Sequence, residues 1–344
     1  MKKKLSIKDL ARELNISATA VSFILNGKAR EKRISEELVK KVEQYVEQTG
    51  FKPNSLARSL RTGKTNIIGL MVENISNPFF ANIARLIEER AYKSGYKIIY
   101  CSTDNNSMKT RDLIQMYRER HVDGYIITPP EGIENEIRSL VDSGCPVVLF
   151  DRLLQGVDAD FVVINNEQST YNATRHLISE GYRNIAFITL SSLQSQMQDR
   201  LNGYEKALSE RDLPSHLKEL PYTAESGDYT RHITAFLKRK PELDAIVFGT
   251  NYIGVSGLKA INALGRKIPE DLAVISFDDH DVFELNTPTI TAIAQPIEEM
   301  AEKVITLLLG KLDRDSKKTT GKTYVLQSKL IMRNSSGAAK RAAK

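Results

Sequence analysis

Cysteine is nearly missing from this chain of 344 residues: only Cys101 and Cys145 occur, far apart and each beside an apolar run. Two such thiols supply neither a disulfide framework nor zinc-ligand spacing, and they fit small buried side chains in a reducing compartment. No stretch approaches the roughly 18 consecutive apolar residues that a membrane span needs. Met1-Lys2-Lys3-Lys4 imitates the start of a secretion signal, but Lys8, Asp9, Arg12 and Glu13 interrupt what would be its apolar core. The expected location is therefore the cytoplasm, with no membrane partner. Catalytic motifs are equally scarce. There is no Gly-rich phosphate loop, His-Glu metal motif or serine elbow, the 5 histidines are scattered, and His121 reads as structural. No nucleophile is paired with a base. A non-enzyme with no cofactor and no metal is expected.

What is present is an uneven charge distribution. Residues 1–66 carry 15 Lys or Arg and 7 Asp or Glu, whereas the remainder carries 34 basic and 36 acidic residues. All of the chain's excess positive charge sits in its first fifth. A basic head on a nearly neutral body suits a polyanion partner, although a solvated charged face has the same composition. Composition is otherwise that of an ordinary globular protein, and the length calls for two or three compact units.

Within the head, Ile7, Leu10, Ala11 and Leu14 fall at helical spacing, as do Val21, Ile24 and Leu25 after a break. Asn15 tolerates a left-handed backbone, which a tight interhelical turn needs, and Ser17 is a natural N-cap for the second helix. Small Ala11 leaves room where two helices cross steeply. This is the pattern of a helix-turn-helix, whose second helix enters the major groove. A third helix carries Ile34, Leu38, Val42, Tyr45 and Val46 on one side and ends at Gly50. Any small three-helix unit shares these features. Base readout is expected from Ala18, Thr19, Ser22 and Phe23 after the Ser17 cap, with Asn26 near a phosphate. Lys28, Arg30, Lys32 and Arg33, in the loop that follows, either grip the DNA backbone or form a solvated loop.

The order Ser-Ile-Lys-Asp-Leu-Ala, Ser-Ala-Thr-Ala-Val-Ser-Phe-Ile-Leu-Asn-Gly and Gly-Phe-Lys-Pro-Asn-Ser-Leu-Ala-Arg-Ser-Leu-Arg closely resembles the lactose-repressor (LacI/GalR) family. The likeness continues through Ile68-Gly69-Leu70, Asn77-Pro78-Phe79-Phe80, Val122-Asp123-Gly124, Phe277-Asp278-Asp279, Gln295-Pro296 and Arg333-Asn334-Ser335. The resemblance implies a hinge helix over residues 54–61 that pairs with a second copy in the minor groove, using Asn54, Arg58, Leu60 and Arg61. The leucine matching Leu60 wedges into a base step, at a few kcal/mol of unstacking offset by wider contact. So short a helix is unstable alone, so it should order on operator DNA; a plain linker with a buried leucine is the simpler alternative. Ala18, Thr19 and Phe23 can touch a thymine methyl but cannot bind guanine in bidentate fashion, so more of the specificity is expected from bending and phosphate contacts.

From residue 67 onward, strand-like runs (Ile67–Val72, Lys97–Cys101, Gly124–Thr128, Pro146–Phe150, Ile185–Leu190, Ala245–Phe248, Leu272–Phe277) alternate with amphipathic stretches such as 81–93, 109–120, 168–179, 199–209 and 251–264. Such alternation builds parallel sheets flanked by helices, and this many strands call for two lobes with a cleft. The resemblance implies the periplasmic-binding-protein-like type I fold, with three crossings between lobes. The expected organisation is an all-α head (1–50), a hinge and linker (51–66), a two-lobed α/β body (67–334) and a disordered tail (335–344).

Ligands bind such sheets at the carboxyl ends of the strands. Phe79, Phe80, Asp151, Arg152, Arg200, Asn251 and Asp278 fall there, and the resemblance marks Phe79 or Phe80, Asp151, Arg200, Asn251 and Asp278, with Tyr222 less securely placed, as effector positions. A carboxylate pair, an arginine and an aromatic platform suit a polyhydroxylated sugar, although each residue taken singly is also an ordinary strand-end or cap residue. Two departures remove negative charge: Asn251-Tyr252 stands where sugar-binding relatives often carry Asn-Asp, and Asn165-Asn166 where Asp-Asn is usual. A phosphorylated, acidic or bulkier sugar, or a non-sugar, therefore stays open. His280 reads as a surface histidine. The expected partners are double-stranded operator DNA, a sugar-like effector and a second copy of the chain, the bodies pairing through sheet-flanking helices. A solute-binding transport protein shares such a body but has no use for residues 1–66.

Overall fold

The computed structural model describes residues 5–51, 63–222, 229–313 and 320–337. The chain divides into two compact units, residues 1–65 and 66–344.

The first unit holds α1 (Ile7–Glu13), α2 (Ala18–Leu25) and α3 (Glu36–Thr49). Each begins at a serine whose hydroxyl accepts a backbone N–H of the first turn: Ser6 from Asp9, Ser17 from Ala20 and Ser35 from Leu38. Asn15 at φ 53° makes the tight turn, and Gly50 at φ 61° ends α3 in the left-handed region. Leu10, Ala11, Leu14, Val21, Ile24, Val42 and Phe51 form the core. Phe51 was expected to open the linker, but it is 7% exposed and closes the head core. Asn54, Arg58, Leu60 and Arg61 lie outside the described residues.

The second unit opens with β1 (Ile67–Val72), α4 (Pro78–Lys93), β2 (Lys97–Ser102), α5 (Ser107–Glu119), β3 (Gly124–Ile127), α6 (Glu134–Asp142), β4 (Val147–Phe150) and β5 (Asp160–Ile164). It continues with α7 (Asn166–Ser179), β6 (Ile185–Leu190), α8 (Ser195–Ser209), β7 (His216–Leu220) and α9 (Tyr229–Arg239). Next come β8 (Ala245–Phe248), α10 (Asn251–Ala263), β9 (Ala273–Phe277), α11 (Asp281–Leu285) and β10 (Thr291–Ala294). The chain then runs through α12 (Ile297–Asp313), β11 (Thr323–Leu326) and β12 (Lys329–Ile331). Two six-stranded sheets result, ordered β11-β5-β4-β3-β1-β2 and β12-β10-β9-β8-β6-β7. All pairings are parallel except β12 against β10. The shared order makes β4 and β9 equivalent strands of two similar lobes. Central strands such as Ile-Ile-Gly-Leu-Met-Val of β1 are apolar throughout because helices cover both faces. A Cβ on Gly69 in β1 would lie 2.3 Å from the Tyr117 ring, which explains that glycine by packing.

The expected strands and helices are present with ends shifted by a few residues. Helix α4 starts earlier than the apolar periodicity suggests because Asn77 caps it and Pro78 occupies its first turn. The lobes join at three short crossings, between β5 and α7, β10 and α12, and β11 and β12. They are stitched side by side: Asn165 Nδ2 donates to Gln327 Oε1 at 2.8 Å, and the Ser328 N–H donates to Asn165 Oδ1 at 2.9 Å. The expected tail boundary at 335 needs correction. Ser335 and Ser336 are fully buried, and Ser335 Oγ donates to the Val274 carbonyl while accepting the Thr291 N–H, so the last turn of chain closes the second lobe. No helix among the described residues is long and apolar enough to cross a membrane.

Candidate functional site

In the head, Thr19 at the start of α2 is exposed, whereas Ala18, Ser22 and Phe23 are half-buried. Ala18 packs on the head core, so it offers less surface than expected. Ser17 is held as N-cap. Asn26 is the C-cap of α2, and its amide donates back to the Ser22 carbonyl at 2.6 Å, which fixes that side chain against its own helix. The following loop is a bonded turn. The Lys28 N–H donates to Phe23, the Lys32 N–H to Lys28 and the Ile34 N–H to Ala29, and Arg33 adopts φ 52°. Lys32 Nζ sits 5.5 Å from the centroid of the Phe23 ring, so loop and α2 share one surface.

The body's polar centre lies in the cleft between its lobes. Asp151 follows β4 and Asp278 follows the equivalent β9, and both take left-handed backbones, at φ 73° and 63°. Non-glycine residues bear this strain where a site over-determines them. Both are less than a tenth exposed. Burial pushes both carboxyls above the ordinary carboxylate range, despite the Arg152 and Arg200 charges beside Asp151 and Arg200 beside Asp278. Arg152 is 2% exposed and fully engaged. Its Nη2 donates to Glu73 at 2.6 Å, its Nε to Asp151 at 3.2 Å and its Nη1 to Asn105 at 2.7 Å. Arg200 lies inside α8 rather than at its start; its Nε donates to Asn166 and its Nη1 to the Gly249 carbonyl, both at 2.8 Å. The guanidinium stacks 3.6 Å over the Phe277 ring. Thus Asn166, one of the charge-removing departures, holds an arginine.

Phe79 and Phe80 begin α4 and meet edge to face at 4.9 Å, walling the cleft. Asn251 opens α10, and its Nδ2 donates across the cleft to Asn77 Oδ1 at 3.1 Å. A second bridge between lobes runs from the Leu153 N–H to Ser195 Oγ at 2.8 Å. The N-termini of α4, α8 and α10 converge here through Asn77, Gln194 and Thr250, which favours buried carboxylates. Tyr222 lies apart from the others, on a cavity of about 370 Å³ at the cleft mouth; the inner cavity is about 30 Å³. Sequence reasoning missed Glu73, Gln196, Tyr252 and Gln295. Gln196 Oε1 and Gln295 Oε1 are buried without a hydrogen-bond partner, an unmet demand for donors. The position of Gln295 in its Gln295-Pro296 pair beside a crossing was the one available signal. His280 caps α11 by accepting the Val282 N–H on Nδ1, and His121 ends α5 at φ 52°; both are structural.

Residues 6–54 match the family model of bacterial regulatory proteins, lacI family, and residues 174–336 match that of a periplasmic binding protein-like domain. Catabolite control protein A of Priestia megaterium is 30% identical over 316 residues, 90% of this chain and 93% of that protein. The HTH-type transcriptional regulator DegA of Bacillus subtilis is 30% identical over 341 residues, 96% of this chain and 98% of its own length. Among solved structures, a LacI family transcriptional regulator from Enterococcus faecium with bound ribose is 27% identical at a TM-score of 0.70, covering 80% of this chain and 100% of that one. A periplasmic binding protein/LacI transcriptional regulator from Alkaliphilus metalliredigens complexed with D-xylulofuranose is 26% identical at a TM-score of 0.69, covering 79% and 99%. With a helix-turn-helix head, a two-lobed body and relatives matched over nearly their whole length, this chain belongs to the LacI family of bacterial regulatory proteins.

Proposed function

We propose that this protein is a cytoplasmic, homodimeric transcriptional repressor whose affinity for a palindromic operator is set by a neutral, hydroxyl-rich, sugar-like effector in the interlobe cleft. The observation that carries this reading is the cleft itself. Buried carboxylates, arginines and unpartnered glutamine carbonyls from both lobes face one another, so what they bind depends on how the lobes are set. Both guanidinium groups are already engaged and three carboxylates stand nearby, which disfavours a phosphoryl or acidic ligand and favours hydroxyl donors. An effector changes operator affinity only through its differential affinity for two lobe arrangements.

Pairing is supported by the edge of the first sheet. Strand β2 ends the sheet yet exposes Ile99 and Tyr100, with Tyr92 at the end of α4 and Met108 on α5 also exposed. An apolar edge strand of this kind calls for a cover, and a second copy places two heads on two half-sites. In this reading Ser17 orients α2, Thr19, Ser22 and Phe23 with Ala18 face bases, and Asn26 approaches a phosphate. Asn54, Arg58, Leu60 and Arg61 serve the minor groove, while Phe79, Phe80, Asp151, Arg152, Arg200, Asn251 and Asp278 hold the effector, with Tyr222 at the mouth. The test is a gel shift of the full-length protein on DNA from upstream of its own and neighbouring genes, with and without sugars, and light scattering for mass. Binding no tighter than to random DNA in dilute buffer, or a monomer under those conditions, refutes the reading.

A further inference from the structure

The effector-binding residues expected from sequence divide between two cavities that share a wall. The inner cavity, between Asp151, Asp278 and the two arginines, is about 30 Å³. That is room for a water or two and for no sugar ring. The mouth cavity is about 370 Å³, within the usual range for a small-molecule site. Leu190 and Gln194 line both. Asn105 lines the mouth and accepts a hydrogen bond from Arg152 of the inner cavity at 2.7 Å, so the two are mechanically joined. Asp104 and Asn105 both hold φ 52°, a strained non-glycine pair of the kind found where a loop is shaped for a ligand.

The inner cavity is small partly because of Tyr252. Its ring lies at the inner cleft, 6.0 Å from the Tyr229 ring, where the smaller aspartate found in sugar-binding relatives would leave space. The mouth offers what the inner cavity has lost. Tyr222 presents a half-buried aromatic face, Gln198 and Glu219 supply polar groups from the second lobe, and Asn105 and Glu131 supply them from the first. A ligand seated there touches both lobes.

We infer that the effector is a two-part molecule of disaccharide size, one unit directed to the aspartates of the inner cleft and a glycosidically linked second ring held in the mouth cavity against Tyr222. This rests on reading the cleft as the effector site. The second ring bridges Asn105 and Glu131 to Gln198, Glu219 and Tyr222, so it senses the angle between the lobes directly. Tyr252 acts as a size gate that makes a single ring an incomplete ligand.

The test is calorimetric titration of the full-length protein with maltose, cellobiose, lactose and sucrose, and with glucose, galactose, fructose and ribose. Wild type is compared with Tyr222→Ala and with Glu131→Gln, whose exposed side chain carries little folding risk. At least one disaccharide is expected to bind about tenfold or more tightly than its component sugars. Tyr222→Ala is expected to weaken it about tenfold and Glu131→Gln by a smaller factor, with single-sugar affinities unchanged. A single sugar that binds as tightly as any disaccharide, or a disaccharide indifferent to both substitutions, overturns the two-part ligand and leaves the effector reading standing. If no sugar of either set binds or alters operator retention, both fall together.

Discussion

Replacing Arg152 with methionine keeps most of the side-chain volume and removes a buried charge that three partners share. Glu73 and Asp151 then keep their desolvated carboxylates without the guanidinium that meets them at 2.6 and 3.2 Å. Breaking a buried pair from one side costs about 3–5 kcal/mol, because the remaining charge stays out of water. For a body of this size each kcal/mol lowers the melting temperature by about 2 °C, so a drop of roughly 6–10 °C is expected. The loss depends on pH with a definite sign. Burial holds the Asp151 carboxyl above its ordinary range even beside Arg152, so its protonation favours the folded state. That contribution is complete below the unfolded value of about 3.9 and disappears as pH rises through the raised folded value. Without the guanidinium the folded value climbs further, so the deficit of Arg152→Met against wild type should widen from about pH 5 to about pH 8. Scanning calorimetry across that range reads it directly, and adding Glu73→Gln should restore part of the loss. A deficit below about 1 kcal/mol, or one that does not change with pH, would refute the electrostatic account of this cluster.

Three further outcomes are expected. Asp278→Ala should abolish the effect of ligand on operator binding while leaving operator affinity itself intact; a normal response in the gel shift discards the pocket assignment. Ser17→Ala should cost the head about 1 kcal/mol by removing the α2 cap and should weaken operator binding, leaving the melting of the body unchanged when the two transitions are followed by calorimetry. Leu60→Ala should weaken operator binding without lowering the body's melting temperature, and unchanged affinity in a fluorescence anisotropy titration removes Leu60 from the mechanism.

Much of the head was legible because its signals are local. Ser17, Asn15 and Gly50 act within a few residues of themselves, and the structure uses each as the sequence suggests. The sheets were legible through continuous apolar runs, and Asp151 and Asp278 through their place after such runs. Contacts that span the chain were not legible. Glu73 meets Arg152 from 79 residues away, and nothing near either residue announces the other. Gln196 reads as one more polar residue of a helix until its carbonyl is found buried and unpartnered. Ser335 and Ser336 have the composition of a solvated tail, yet their hydroxyls hold the strand ends around Val274 and Thr291. Small polar residues look alike whether they face water or a backbone that needs partners.

The three strand-to-strand links bound by Asn165, Gln327 and Ser328 leave the lobes one soft coordinate, a rotation about the line of the crossings. A joint of that kind transmits a single scalar. Every ligand, and every substitution at the joint, can then be ranked on one axis of opening. Two agents acting on the same molecule add or oppose along that axis and cannot carry separate messages.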